Sequence, residues 1–367
     1  MEQNETIVDR QTGASTHGPR TGRRTFLRGA AGLGLTLPAA LGVRNSLAQD
    51  DGTPTPHEGH GDGYVGSQGD TSGGTGAATP APLTVVPFKR YDPMLPSVKP
   101  GEKEIELTVV DNIVQEIASG VQFAGWTFNG TIPGPMLRVV EGDTVNVEFK
   151  VSEGANWHSL DFHAAQTAPD VNYRSIGPGE ELEYSYTANY PGAFMYHCGT
   201  PPVLMHIGAG MYGGIIVDPK EGWSPAQEIC LVQSEFYLAP QGEGETVRLP
   251  DYSRMMAQTM DYMGFNGHST QYVDEPIIVK AGEPIRIFVV NAGPNVFCTF
   301  HVVGAIFDAA YFNANPKNKI VGQQSMSIGP GDGMCVELTL HEPGIYPAVN
   351  HAFGHAAHGA IALLQAV

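Results

Sequence analysis

The chain has 367 residues, with 38 acidic against 20 basic side chains and a formal net charge of −18. A nucleic-acid partner is thereby excluded, because phosphate binding needs a basic surface. An apolar content of 41% is enough for ordinary cores, and 46 glycines with 28 prolines favour a turn-rich, all-β chain over a helical one.

The first 22 residues are polar and irregular. Gly22–Arg28 then reads G-R-R-T-F-L-R, followed by a Gly/Ala/Leu-rich run to Val43 and the small-residue site Ser46-Leu47-Ala48. This order predicts a twin-arginine export signal over residues 1–48, with Arg23 and Arg24 as the pair. The apolar run is too short and too glycine-rich to span a membrane. The expected destination is the periplasm or the outer face of the cell membrane. Residues 49–82 are rich in Gly, Asp, Thr, Ser and Pro and predict a disordered linker, because they bury too little surface to offset their ordering entropy. No later stretch reads as a membrane span.

From about Glu102 the pattern changes to short alternating strands separated by Gly and Pro. E-I-E-L-T-V-V is followed by Thr144–Phe149 and Glu181–Tyr186, and the series runs to about Pro219. A second series starts near Glu228 and reaches the C-terminus. The expectation is two β-sandwich domains, 83–219 and 220–367.

The two series repeat each other. F-N-G-T-I-P-G-P-M from Phe128 matches F-N-G-H-S-T-Q from Phe265, and G-P-G-E-E-L-E-Y from Gly177 matches G-P-G-D-G-M-C-V from Gly329. His158–Ala164 (H-S-L-D-F-H-A) matches Val296–Val302 (V-F-C-T-F-H-V). The second series thus has Val296 for His158 and Ala357 near the place of Met211, but keeps His301 for His163 and has His351 close to the His197-Cys198 position.

The stretch Gly192–Gly214 carries the densest chemistry: His197, Cys198, His206 and Met211. A thiolate, imidazoles and a thioether form the donor set of a blue-copper electron-transfer site. With His158 from an earlier strand, site one is His158, Cys198, His206 and Met211. Neighbouring residues of a strand point to opposite faces, so His197 faces away from Cys198. His163, five residues from His158, faces away from site one by the same parity, and Asp161 shares its face. His163, His197 and Asp161 therefore gather outside the first core, with His301 and His351 as candidates for a third ligand. Three histidines with an open fourth position describe a catalytic metal site. Cys230, Cys298 and Cys335 read as small buried residues, and a Cys298–Cys335 bridge is left open.

H-S-L-D-F-H, Y-H-C-G-T-P-P-V-L-M-H-I-G-A-G-M-Y-G-G, F-H-V-V-G-A-I-F-D and P-A-V-N-H occur in this order. In them the chain resembles the copper-containing nitrite reductases, over roughly residues 102–367. The resemblance implies two tandem cupredoxin-like Greek-key β-sandwiches and a homotrimer. It implies a type 1 copper on His158, Cys198, His206 and Met211, and a type 2 copper on His163, His197 and a neighbouring subunit's copy of His351. Asp161 and His301 match the family's proton-handling pair, and Val303 a residue shaping the nitrite pocket. Ile306 stands where some members carry a further histidine, and the Cys198–His206 loop is of the shorter kind.

The implied activity is one-electron reduction of nitrite to nitric oxide in denitrification, with electrons from a small redox protein, a cupredoxin or cytochrome c. They would enter at type 1 copper and cross Cys198-His197. A multicopper oxidase and a non-enzymatic electron carrier are the rival readings. The first needs His-x-His pairs and a His-Cys-His tripeptide, whereas Gly199 follows Cys198 and no His-x-His occurs. The second has no use for Asp161, His163, His301 and His351.

Overall fold

The computed structural model describes residues 82–367. The expected twin-arginine signal and the expected linker up to residue 81 lie outside the described residues. Among the described residues, no helix is long and apolar enough to cross a membrane.

The N-terminal half is built from two sheets. One runs in the order Val247–Arg248, Val121–Phe128, Lys103–Ala118, Thr144–Val151, Glu181–Thr187, with Thr84–Val85 also paired to Lys103–Ala118. The other runs Leu137–Val140, Tyr212–Asp218, Gly192–His197, Asp161–Phe162. Inward residues of both sheets, among them Leu107, Val109, Phe149, Phe162, Tyr196 and Ile215, close a single core. The C-terminal half repeats the plan. A six-stranded sheet is ordered Tyr262–Phe265, Gln227–Phe236, Pro284–Gly293, Gly333–Thr339, Ala309–Phe312, Lys319–Ile320. It faces a five-stranded sheet of Ile277–Val279, Ile361–Ala366, Gly344–Asn350, Cys298–Val302 and Met326–Ile328. Their inward residues form a second core around Phe265, Phe300 and Val336.

A third apolar layer joins the halves. Ala193, Met195 and Ile216 from the first half pack with Val232, Phe288 and Val290 from the second. The four-stranded sheet is therefore covered on both faces, and every residue of Tyr212–Asp218 is buried. The approach is so close that a Cβ on Gly333 would sit 2.0 Å from the Ala193 carbonyl oxygen. Charges are matched at the same seam. Arg138 reaches Asp218 at 2.9 Å and Glu228 at 2.8 Å, and Glu228 also meets the buried Arg286 at 2.9 Å.

The three strands read from alternation all form, and the first is longer than expected. Lys103–Ala118 continues past Val110 through a bulge: Val110 pairs with Thr127 but Ile113 with Gly125, leaving one extra residue. Asn112 takes up the kink at φ 57°, a left-handed conformation that asparagine tolerates. Ile105, Leu107, Val109 and Asp111 alternate on the buried side. The Cys298–Cys335 bridge is not formed, and all four cysteines are free and buried. Cys298 points into the second core, whereas Cys335 points into the layer between the halves, opposite its strand neighbours Met334 and Val336.

Candidate metal centres

The strand Gly192–His197 lies between two cores, and its pleat divides its side chains between them. Phe194 and Tyr196 face the first core, together with Cys198 just past the strand end. Ala193 and Met195 face the second half. His197 continues that outward series, so consecutive residues Cys198 and His197 serve opposite sides of one sheet. Beyond Cys198, Pro201 and Pro202 keep Thr200 and Pro201 out of helical geometry. The short helix Val203–Gly208 then turns His206 back into the core. Two backbone hydrogen bonds close the loop: Cys198 N donates to Met211 O and Met211 N to His206 O, both at 3.1 Å.

His158, Cys198 and His206 form one donor group. The Cys198 Sγ lies 3.2 Å from His206 Nδ1 and 3.8 Å from His158 Nδ1, and the two Nδ1 atoms are 3.2 Å apart. All three residues are buried, as is Met211. Burial alone would raise the Cys198 thiol, but His206 and His158 beside it more than offset this and hold it well below its ordinary value. A thiolate is the form that binds metal. Ser159 N donates to Sγ at 3.4 Å, and the Ser159 hydroxyl accepts from Gly199 N at 2.9 Å. Trp126 closes the outer side, its ring edge-on to His158 and His206. On the far side of His158, Nε2 lies 3.0 Å from Asp111 Oδ1. Burial would lower the His158 pKa, but Asp111 and Cys198 raise it to about 9.

Asp161, His163 and His197 form the second group. Their convergence follows from pairing: Asp161 lies opposite His197 in the antiparallel ladder, and His163 N donates to Met195 O at 3.1 Å. His158 and His163 do not share one regular strand, since the paired segment is only Asp161–Phe162, with His158 in a separate bridge to Ile176. The opposite facing nevertheless holds. The His163 and His197 Nε2 atoms are 3.0 Å apart, and His197 Nε2 is 3.9 Å from Asp161 Oδ2. Each Nδ1 is engaged by a carbonyl, His163 by Gly331 at 3.2 Å and His197 by Cys198 at 2.9 Å. That leaves both Nε2 lone pairs aimed at one point, a repulsive arrangement that a shared cation relieves. Desolvation of the His163 ring, reinforced by His197, pushes its pKa down, which favours the neutral, ligating form.

His301 and His351 do not join this group within one chain. Among the described residues, two groups of three or more donors gather within 4.8 Å, and neither includes them. They form a pair of their own, ring centroids 5.3 Å apart, with His301 Nδ1 against the Gln324 carbonyl. His351 is exposed, and Val303 is 42% exposed close by in sequence. Ile306 is exposed as well. His351 precedes the short helix Phe353–Ala357. Asp111 is the participant that motif reading passed over. Its signal was a lone carboxylate on the inward side of I-E-L-T-V-V-D.

Residues 110–222 match the family model described as multicopper oxidase. The copper-containing nitrite reductase of Neisseria gonorrhoeae is 36% identical over 273 residues, covering 72% of this chain and 69% of that protein. The chain belongs to the copper-containing nitrite reductase family. Solved family structures agree. The copper nitrite reductase from Nitrosomonas europaea is 36% identical with a TM-score of 0.67, covering 72% of this chain and 94% of that one. The enzyme from Thermus scotoductus SA-01 is 36% identical with a TM-score of 0.66, covering 72% of this chain and 62% of that one. The fold is the two-domain cupredoxin arrangement of that family, and the protein is an oxidoreductase for which the family implies copper. The donors fit that metal: a buried thiolate with two imidazoles, and two imidazoles with converging lone pairs.

Proposed function

We propose that this chain is an exported copper-dependent nitrite reductase, converting nitrite, one electron and two protons into nitric oxide and water. The observation that carries the reading is the placement of Cys198 in one donor group and its peptide neighbour His197 in the other. A carrier protein needs the first group alone.

In this reading residues 1–48 are the twin-arginine leader to the periplasm or outer membrane face, 49–82 the linker, and 83–219 and 220–367 the two cupredoxin domains. His158, Cys198, His206 and Met211 hold one type 1 copper per subunit. His163 and His197 hold a type 2 copper, completed by the exposed His351 of a neighbouring subunit. The separation of the His301–His351 pair from Asp161 within one chain supports a site shared between subunits, because a second copy then brings its two halves together; the family resemblance makes that assembly a homotrimer. When bound, copper supplies one-electron exchange at the first group and Lewis acidity toward nitrite at the second.

The residues then divide the work. The covalent link from Cys198 to His197 is the electron path between the groups. Asp161, 8% exposed, hydrogen-bonds a nitrite oxygen and gives it a proton. His301 relays the second proton, a role suited to imidazole near neutral pH, with its ring held from behind by Gln324 O. Val303 borders the nitrite pocket. The electrons come from a small redox protein, a cupredoxin or cytochrome c.

The family-model match to multicopper oxidases raises oxygen reduction as a second reading. Against it stand Gly199 after Cys198 and the lack of any His-x-His pair in the sequence. The test is nitrite-dependent nitric oxide formation by the copper-loaded protein, with copper counted per chain and typed by electron paramagnetic resonance. Two coppers of different type with nitric oxide release are expected. One type 1 copper without turnover would leave a carrier.

A further inference from the structure

Resting on the type 1 copper reading above, we propose that Asp111 is a positioning residue that orients His158 and keeps the reduction potential of that copper low. The three ligand imidazoles His158, His163 and His197, together with His301, have their rear nitrogens accounted for, and they differ in kind. His163, His197 and His301 each rest on a neutral backbone carbonyl, of Gly331, Cys198 and Gln324. His158 instead has a carboxylate behind it, with Nε2 3.0 Å from Asp111 Oδ1. The two atoms form a close charge contact, and neither has a directional hydrogen-bond partner. Asp111 is 3% exposed, so water does little to screen it. Its other oxygen is fixed by Asn156, whose backbone N donates at 2.9 Å and side-chain Nδ2 at 2.8 Å. The carboxylate is thus clamped from the surface side and presents its free oxygen to the ligand.

The physical consequence has a definite sign. With Nε2 committed to Asp111, His158 turns Nδ1 toward Cys198, as observed. A negative charge behind the imidazole increases its donor strength. It also stabilises the more positive Cu(II) over Cu(I). The type 1 centre is thereby made a better electron donor to the type 2 centre, where the rear nitrogens of His163 and His197 rest on neutral carbonyls. The backbone contributes as well: the bulge at Asp111-Asn112 falls where the strand passes this centre and leaves Asp111 on the buried side.

The experiment is spectroelectrochemistry of the type 1 absorption in the full-length copper-loaded protein and two variants. Asp111→Asn keeps the shape and removes the charge. The expected result is a retained type 1 band with the Cu(II)/Cu(I) ratio at a fixed potential lowered tenfold or more, about 59 mV upward for a one-electron couple. Asn156→Ala, at an exposed position, removes one donor that neutralises the carboxylate, so a smaller downward shift is expected. Opposite signs distinguish charge from packing, because a merely structural role moves both variants the same way. An Asp111→Asn potential equal to the parent's, or two shifts of one sign, overturns the proposal. If Asp111→Asn loses the type 1 band, Asn156→Ala decides alone: a fall supports the proposal, and no shift or a rise rejects it. A parent protein with no thiolate-to-copper band rejects the copper reading itself, and a parent with that band but unresponsive variants rejects only the role of Asp111.

Discussion

The imidazoles of His163 and His197 meet at 3.0 Å between their Nε2 atoms, outside the core that holds the thiol of Cys198. One pleat of one strand thus separates two donor groups that remain one peptide bond apart. Most tests of the function follow from that separation.

In the proposed reaction Asp161 donates a proton, and it lies outside the first donor group. Asp161→Asn should keep two coppers per chain and lower nitric oxide formation by about a hundredfold or more, the usual weight of a positioned acid. Copper content and turnover measured on the same sample check this. Full activity would remove Asp161 from the acid role.

Completion of the second site by another subunit is testable by mixing. His197→Ala and His351→Ala chains should each be inactive, since each lacks one of the proposed type 2 ligands. Co-expressed, they should regain activity at roughly a quarter of interfaces, where the intact first half of one chain meets the intact second half of the other. Absence of rescue in confirmed mixed oligomers would mean that each chain builds its site alone.

Met211 lies in the buried loop tied to Cys198 and His206 by the two 3.1 Å backbone hydrogen bonds. Met211→Thr should alter the type 1 spectrum and potential and leave the type 2 resonance in place. Loss of the buried thioether should also cost about 2 kcal/mol of stability. A denaturant titration next to the two spectra separates these effects.

Glu235 is 1% exposed and accepts from the Tyr237 hydroxyl, from Asn295 N at 3.1 Å and from Val296 N at 2.7 Å. Burial raises its pKa, and these donors only partly oppose the rise. The folded state therefore holds this proton more tightly than the unfolded state. Stability should fall as pH climbs from the ordinary carboxylate value, about 4.3, through the raised folded value. Glu235→Gln should flatten that portion of the pH profile. Denaturant midpoints of both proteins between acid and neutral pH check the sign, and a profile unchanged by the substitution would contradict it.

Sequence alone determined the strand alternation, the internal repeat and the donor types. Those are local properties, written in the period-2 pattern and in residues such as Cys198, His206 and Met211 that one short loop brings together. Parity alone separates His197 from Cys198. The placement of Asp111 behind His158 was only half legible: its inward side of the strand could be read, but not its partner. That contact joins residues 47 positions apart in sequence and depends on how two sheets stack. The separation of His301 and His351 from Asp161, and the apolar layer that buries both faces of the central sheet, were likewise decided by the tertiary structure. Alternation states which side a residue faces, and only packing states what it meets there.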